Sequence, residues 1–216
     1  MFGGTLGDWV TNPVDLELKP GYKPFNIRYY PVPIINKEAF RKELKLMVEI
    51  IVLTPVQHIK YSTPVFIIPK KEGTGRFIID YRSINHKLVR NLYPLPRTGN
   101  NMQKLEVLQY VTALYLNMGC YNIRLYPDIQ YMTMIVTEFG KFRYNRLHMG
   151  MCASGGIFQG RLDELLGDIE DVKTYINDIL VFRKDCFENH IEQLRMISAR
   201  LCAAGLKLMR LSAFLG

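Results

Sequence analysis

The sequence predicts an α+β fold in which an antiparallel sheet packs against helices. Two observations carry this: the elements alternate as helix, hairpin, strands, helix, hairpin and helix, and the strand-like runs are short and joined by glycine- or Asn/Asp-containing turns. A third is composition: 216 residues, 48% hydrophobic and 22% charged with mean hydropathy −0.02, describe a folded chain long enough to bury a core. No internal repeat or low-complexity tract interrupts it.

Residues 1–35 hold five of the eleven prolines (Pro13, Pro20, Pro24, Pro31, Pro33) without periodicity, so they read as an extended arm laid over something else. Asn36 then caps a helix of about four turns, with Phe40, Leu44, Met47 and Ile51 on one face. Pro64–Ile68 and Arg76–Tyr81 are β-branched and aromatic runs joined by Lys70-Lys-Glu-Gly-Thr-Gly, the pattern of a hairpin. A second β region follows as Tyr121–Leu125, Tyr131–Thr137 and Phe142–Leu147, with Phe139-Gly-Lys at a turn. Ser154 begins a helix with Phe158, Leu162, Leu165 and Leu166 on one face. Val172–Ile176 and Ile179–Phe182 are strands meeting at Asn177-Asp178, a turn-forming pair. Asp185 opens the last helix, with Phe187, Ile191, Leu194, Ile197 and Leu201 in register and Gly205 closing it.

Several function classes are set aside. The longest run without a charge, Val107 to Ile123, carries Gln109, Thr112, Asn117 and Asn122 and falls short of the ~20 apolar residues of a membrane span. The amino terminus lacks the basic and apolar regions of a signal peptide. Four cysteines (Cys120, Cys152, Cys186, Cys202) without a C-x-x-C pair suggest reduced thiols, hence an intracellular protein without structural zinc. The net charge of +8 is uneven: residues 1–98 hold 15 Lys and Arg against 8 Asp and Glu, and residues 99–216 hold 13 against 12. Such a one-sided field suits a polyanion such as nucleic acid, although solubilising side chains would give the same count.

The motifs then acquire a family. Tyr175-Ile-Asn-Asp-Ile-Leu-Val resembles the Tyr-x-Asp-Asp box of reverse transcriptases with its first Asp replaced. Pro64 to Asn85 resembles the family's fingers hairpin, and Tyr93-Pro-Leu-Pro-Arg its link from fingers to palm. Phe139 to Gly150 and Ile157-Phe-Gln resemble the palm strand and helix before the box, and Asp185 to Leu208 the helix and strand after it. The similarity is greatest to gypsy-type LTR retrotransposon polyproteins and spans residues 14–209.

The resemblance implies a right-hand polymerase fold: an arm at 1–35, fingers at 36–98, palm at 99–209, a tail at 210–216, and no thumb. It implies RNA-directed DNA synthesis with two Mg²⁺ ions, and as partners an RNA or DNA primer-template and deoxynucleoside triphosphates. Carried over residue by residue, the three metal aspartates fall on Tyr115, Asn177 and Asp178. A neutral phenol and a neutral amide thus stand where two carboxylates belong, and only Asp178 keeps its charge. In the nucleotide pocket, Lys70, Lys71 and Arg76 match triphosphate contacts, Met149 a position beside the nucleotide, and Cys120 the aromatic gate under the sugar. His148 replaces a proline of the Leu-Pro-x-Gly turn. Without the resemblance, Asp178 is a turn former, Lys70 and Lys71 are solvated charges, and Tyr115 and Cys120 are core residues. Three readings stand at this point: a polymerase disabled at its metal site, a nucleic-acid-binding module without turnover, and a decayed transposon fragment.

Overall fold

The computed structural model describes residues 5–69, 75–89, 93–94 and 109–209. The chain forms two compact units, each discontinuous in sequence: Asn12–Arg90 with Ile123–Ser154, and Met1–Thr11 with Asn91–Asn122 and Gly155–Gly216.

The first unit is built on a five-stranded sheet of order β1-β6-β5-β2-β3, from β1 (Leu53–Pro55), β2 (Thr63–Pro69), β3 (Gly75–Ile79), β5 (Met134–Thr137) and β6 (Gly140–Tyr144). Helix α1 (Lys37–Glu49) buries Phe40, Leu44 and Met47, the stripe that the spacing predicts. Phe40 meets Phe77 of β3 at 4.5 Å and Phe139 at 5.4 Å between ring centres. Asn36 precedes α1 but makes no capping bond, because a 3-10 turn, Ile34–Asn36, feeds directly into the helix. Ile51, expected on the buried face, is exposed at φ +58, past the helix end. β2 and β3 pair antiparallel from Val65↔Ile79 to Pro69↔Gly75, the expected hairpin.

One pair departs from the antiparallel expectation: β2 runs parallel to β5, Thr63 opposite Ile135. Parallel neighbours need a long crossover, and the chain between these strands is long enough to supply one. The arm also behaves as an extended strap: Val14 donates to Arg124, Leu18 bridges Leu88, and Ser62 Oγ both accepts from Ile27 N (2.9 Å) and donates to Ile27 O (2.8 Å). β5 begins three residues later than the sequence suggests, since Pro127 starts the short helix α3 (Pro127–Gln130) before it. A second short helix, α2 (Arg82–Asn85), follows β3.

The second unit holds a three-stranded antiparallel sheet of order β4-β8-β7, from β4 (Tyr110–Tyr115), β7 (Val172–Tyr175) and β8 (Asp178–Arg183). Side chains alternate across it, and α4 (Ser154–Leu166) and α5 (Phe187–Ala203) cover one face. There Thr112 Oγ1 lies 2.8 Å from His190 Nε2, and Phe158, Leu162, Ile179, Val181, Ile197 and Leu201 form the core. The amino-terminal stretch joins this core: buried Trp9 stands edge-on to Phe158 at 5.4 Å, while Asp8 and Val10 donate to Gly205 and Ala204.

The last helix begins one residue later than expected, with Cys186 at its cap, while Asp185 accepts from Asn189 (2.8 Å). It ends as predicted at Gly205, φ +76, and Leu206 N–H returns to Leu201 O (2.9 Å). Of Tyr121–Leu125, expected as a strand, Tyr121 and Asn122 belong to a 3-10 turn, Gly119–Asn122, whereas the remainder is paired: Leu147 N–H donates to Ile123 O (2.9 Å), Leu125 N–H to Asn145 O (3.0 Å), and Arg124 bridges Arg146 antiparallel. The buried Asn122 amide donates to both Asn117 O and Gly119 O at 2.8 Å, which closes the turn ahead of that pairing. Among the described residues no helix is long and apolar enough to cross a membrane.

Candidate functional site

The polar turn lies between β7 and β8. Register pairs Tyr175 with Asp178, so the two-residue loop is Ile176-Asn177, one position before the Asn177-Asp178 expected, and Asp178 is the first residue of β8. Ile176 has φ +51, a costly conformation for a β-branched residue. It is imposed from outside: Ile176 N–H donates to Oε1 of the buried Gln159 on α4 (2.7 Å).

Gln159 belongs to a network that holds the hairpin. Its Nε2 donates to Asp163 Oδ1 (2.8 Å) and Thr174 Oγ1 (2.8 Å), Thr174 Oγ1 donates to Asp163 Oδ1 (2.7 Å), and Tyr93 OH donates to Asp163 Oδ2 (2.7 Å). Replacing Gln159 with Leu strands the Ile176 N–H and takes one of two donors from Asp163 Oδ1, which keeps that of Thr174. We expect that variant to lose about 2–3 kcal/mol in urea unfolding, and Gln159→Glu to lose at least as much, because it keeps the acceptor for Ile176 but sets a second carboxylate where Nε2 now donates to Asp163 Oδ1.

The turn faces its neighbours across the sheet. Tyr115, the last residue of β4, is the register partner of Asp178, as is Tyr175 on the other side. One row therefore reads Tyr115–Asp178–Tyr175, with the phenols 39% and 41% exposed and the carboxylate exposed between them. Partial burial pushes the Asp178 carboxyl above its ordinary value. Asn177 points elsewhere: a Cβ on Gly119 (φ +42) would stand 2.8 Å from the Asn177 amide carbon and collide with its oxygen. That oxygen, Oδ1, is buried and accepts no hydrogen bond among the described residues.

Of the residues matched to a nucleotide pocket, Cys120 follows Gly119 in the same unit and is buried, which pushes its thiol up to about 12. Arg76 on β3 and Met149 are exposed in the five-stranded unit. Lys70 and Lys71 lie outside the described residues. His148 is buried between Tyr81 (5.2 Å) and Tyr144 (5.1 Å), and its Nδ1 accepts from Gly150 N (2.9 Å). Burial drives its pKa from 6.5 down to about 3.

The folded state thus holds His148 neutral while the unfolded chain protonates it, so its contribution is intact above about pH 6.5 and lost as pH falls toward 3. Urea unfolding should register a loss of about 2 kcal/mol between pH 7 and pH 5. The buried His190, whose pKa burial also lowers, adds to it. His148→Asn should flatten the part of this dip due to His148.

The sequence reading missed two features. One is the Gln159–Asp163–Thr174 network. The other is an open cleft of about 320 Å³ in the five-stranded unit, lined by Phe66, Ile78, Asp80, Arg82, Asn85 and Gly150 among others. Arg82 clamps Asp80 with two bonds (2.6 and 2.7 Å) and Tyr30 adds a third, holding the Asp80 carboxyl near 2. A paired carboxylate beside an exposed phenylalanine was not separable from ordinary hairpin residues by sequence alone.

This fold, with a strained polar hairpin at the end of a three-stranded sheet, is that of a nucleic-acid polymerase. The prototype foamy virus protease-reverse transcriptase superposes with TM-score 0.89 at 23% identity, covering 99% of this chain and 28% of that one. The foamy viral enzyme in complex with RNA/DNA hybrid gives TM-score 0.89 at 20% identity, covering 98% and 28%.

Residues 68–210 match the family described as reverse transcriptase (RNA-dependent DNA polymerase), and the chain belongs to that family. The retrovirus-related Pol polyprotein from transposon opus of Drosophila melanogaster is 28% identical over 191 residues, 85% of this chain and 19% of that protein. The transposon Tf2-3 polyprotein of Schizosaccharomyces pombe is 28% identical over 194 residues, 89% and 14%. The chain therefore spans about a fifth or less of these polyproteins.

Reverse transcriptases depend on a divalent metal. A hard cation of that kind takes several oxygen ligands with carboxylates foremost, and the donor set here does not fit one. The row offers one carboxylate between two phenols, the Asn177 oxygen is turned onto Gly119, and no group of three or more His, Cys, Asp or Glu side chains among the described residues could hold a metal ion.

Proposed function

We propose that this chain is a reverse-transcriptase domain of a gypsy-type retrotransposon polyprotein that still holds nucleic acid but does not polymerise unaided. One observation carries the reading: a single carboxylate, Asp178, stands between Tyr115 and Tyr175 where the family needs several. Mg²⁺, the ion we assign to the family reaction, is thereby left with too little charge to bind.

Phosphate contacts by Lys and Arg need no metal, and 15 of the 28 basic residues lie within residues 1–98. We read 36–98 as fingers and 99–209 as palm, with Lys70, Lys71 and Arg76 reaching toward a primer-template or a deoxynucleoside triphosphate, and the chain acting inside the cell. The cleft with exposed Phe66 beside Arg82 favours a strand contact of the same kind, an aromatic face next to a guanidinium.

The test is primer extension on an RNA template with Mg²⁺ or Mn²⁺. The natural chain and Asp178→Ala should extend equally little, and extension by the natural chain above that blank overturns the reading.

A further inference from the structure

One stripe of α4 carries Gln159, Gly160 and Asp163, which the helical repeat stacks on the same side. Gly160 leaves a notch in that stripe, and the ring of Tyr93 fills it: a Cβ on Gly160 would stand 3.0 Å from Tyr93 Cε2 and 3.2 Å from Cδ2. From this seat the Tyr93 hydroxyl reaches Asp163 Oδ2 (2.7 Å). The bond to that carboxylate raises the Tyr93 phenol above its ordinary value, which keeps it protonated and donating at neutral pH. Pro94 follows Tyr93 and confines it to extended backbone, so seating the ring costs little further chain freedom.

Hydrogen bonds then run without a break from Tyr93 to the polar turn. Asp163 Oδ1 accepts from Gln159 Nε2 (2.8 Å) and Thr174 Oγ1 (2.7 Å), and Gln159 Oε1 accepts from Ile176 N–H (2.7 Å). A side-chain amide can present its oxygen or its nitrogen to Ile176, and only the oxygen accepts. Asp163 decides between them: an ionised carboxylate accepts and does not donate, so it draws Nε2 to itself and turns Oε1 toward Ile176. That last bond holds an isoleucine at φ +51, against its own preference, so the bend gives way once the acceptor turns aside.

We infer that Tyr93 is a positioning residue for the polar turn, a latch that sets Asn177 and Asp178 through Asp163 and Gln159 while its ring sits against Gly160. Lifting the ring removes the donor from Asp163 Oδ2, frees the carboxylate to rotate, and lets the Gln159 amide turn away from Ile176. Tyr93 lies far upstream of the turn in sequence, so whatever displaces that stretch of chain loosens the turn with it. The latch needs neither a metal nor nucleic acid and stands independently of the binding proposed above.

The measurement is amide hydrogen exchange, resolved residue by residue by NMR, on the full chain at neutral pH without metal. Tyr93→Phe keeps the ring and loses the donor; it should speed exchange at Ile176 about fivefold, the worth of one net hydrogen bond. Leu116, whose N–H donates to Asn177 O (2.8 Å), should move in the same direction. Phe182, whose N–H donates to Asp171 O (3.0 Å) at the far end of β8, should not change. Gly160→Leu should also speed Ile176, because its side chain takes the place of the ring, although leucine is by itself the better helix former. In an Asp163→Ala chain Tyr93→Phe should add nothing, since the carboxylate through which it acts is gone. An Ile176 rate that Tyr93→Phe leaves unchanged overturns the latch, as does slower exchange there in Gly160→Leu. A rise shared equally by Phe182 overturns it too, for that is a general loss of stability. So does the full fivefold effect persisting without Asp163, which would put the ring on another route to the turn.

Discussion

The double variant Tyr115→Asp with Asn177→Asp should extend a primer on an RNA template about 10⁴-fold faster than the natural chain, since each restored metal ligand is worth several kcal/mol in the transition state. The scaffold is prepared for both changes. Asn177→Asp is isosteric, and its oxygen already sits against Gly119, where no Cβ could be accommodated. Tyr115 is partly exposed at a strand end, so removing its ring opens no cavity. Tyr115→Asp would set a carboxylate beside Asp178 in the same row, with that of Asn177→Asp on the adjoining turn residue, and without a cation they would repel one another.

A second readout therefore accompanies activity. In EDTA at neutral pH the double variant should melt below the natural chain, because the Asn177 oxygen is buried without a donor and a charge there is poorly solvated. Mg²⁺ or Mn²⁺ should raise its melting temperature in a concentration-dependent way and leave the natural chain unmoved. A double variant that melts identically with and without metal would show that positions 115 and 177 are not where the charge was lost.

Trp9→Ala should cost about 3–5 kcal/mol, a large share of the stability of a domain of this size. Trp9 is the sole tryptophan, buried edge-on to Phe158, and its backbone N–H donates to Asn122 O (2.9 Å). The strands and helices it supports lie more than a hundred residues downstream, so the amino-terminal stretch belongs to the core of the three-stranded unit. Urea unfolding followed by far-UV circular dichroism gives the value, with Trp9→Phe expected to lose less. A cost below about 1 kcal/mol would mean that Phe158 is held by its other neighbours alone.

What the sequence disclosed and what it withheld divide along physical lines. The stripe Phe40–Leu44–Met47, the hairpin from Val65 to Ile79 and the stop at Gly205 were legible, since each follows from local periodicity or a backbone preference. Tyr121–Leu125 has the alternation of a strand and pairs as one from Ile123 onward, while the Asn122 side chain, bonding within its own turn, takes the first two residues out of it. The parallel pair of β2 and β5 has no local signature.

At the site, the matched motifs located Tyr115, Asn177 and Asp178, and their row followed once register was known. Gln159 stood inside a recognised motif but carried no sign of its bond to Ile176. The turn was misplaced by one residue because an isoleucine at φ +51 defies its own preference.

That isoleucine separates shape from chemistry. The bend at Ile176 is enforced by Gln159, Thr174 and Asp163, none of which is a metal ligand, so the residue beside it can change from Asp to Asn without moving the chain. Mutational drift can therefore erase the reactive charge while leaving the contour intact. An antibody or small molecule raised against the outline of such a hairpin would bind this chain and Asn177→Asp alike, whereas a probe that depends on the charge at that position would separate them at once.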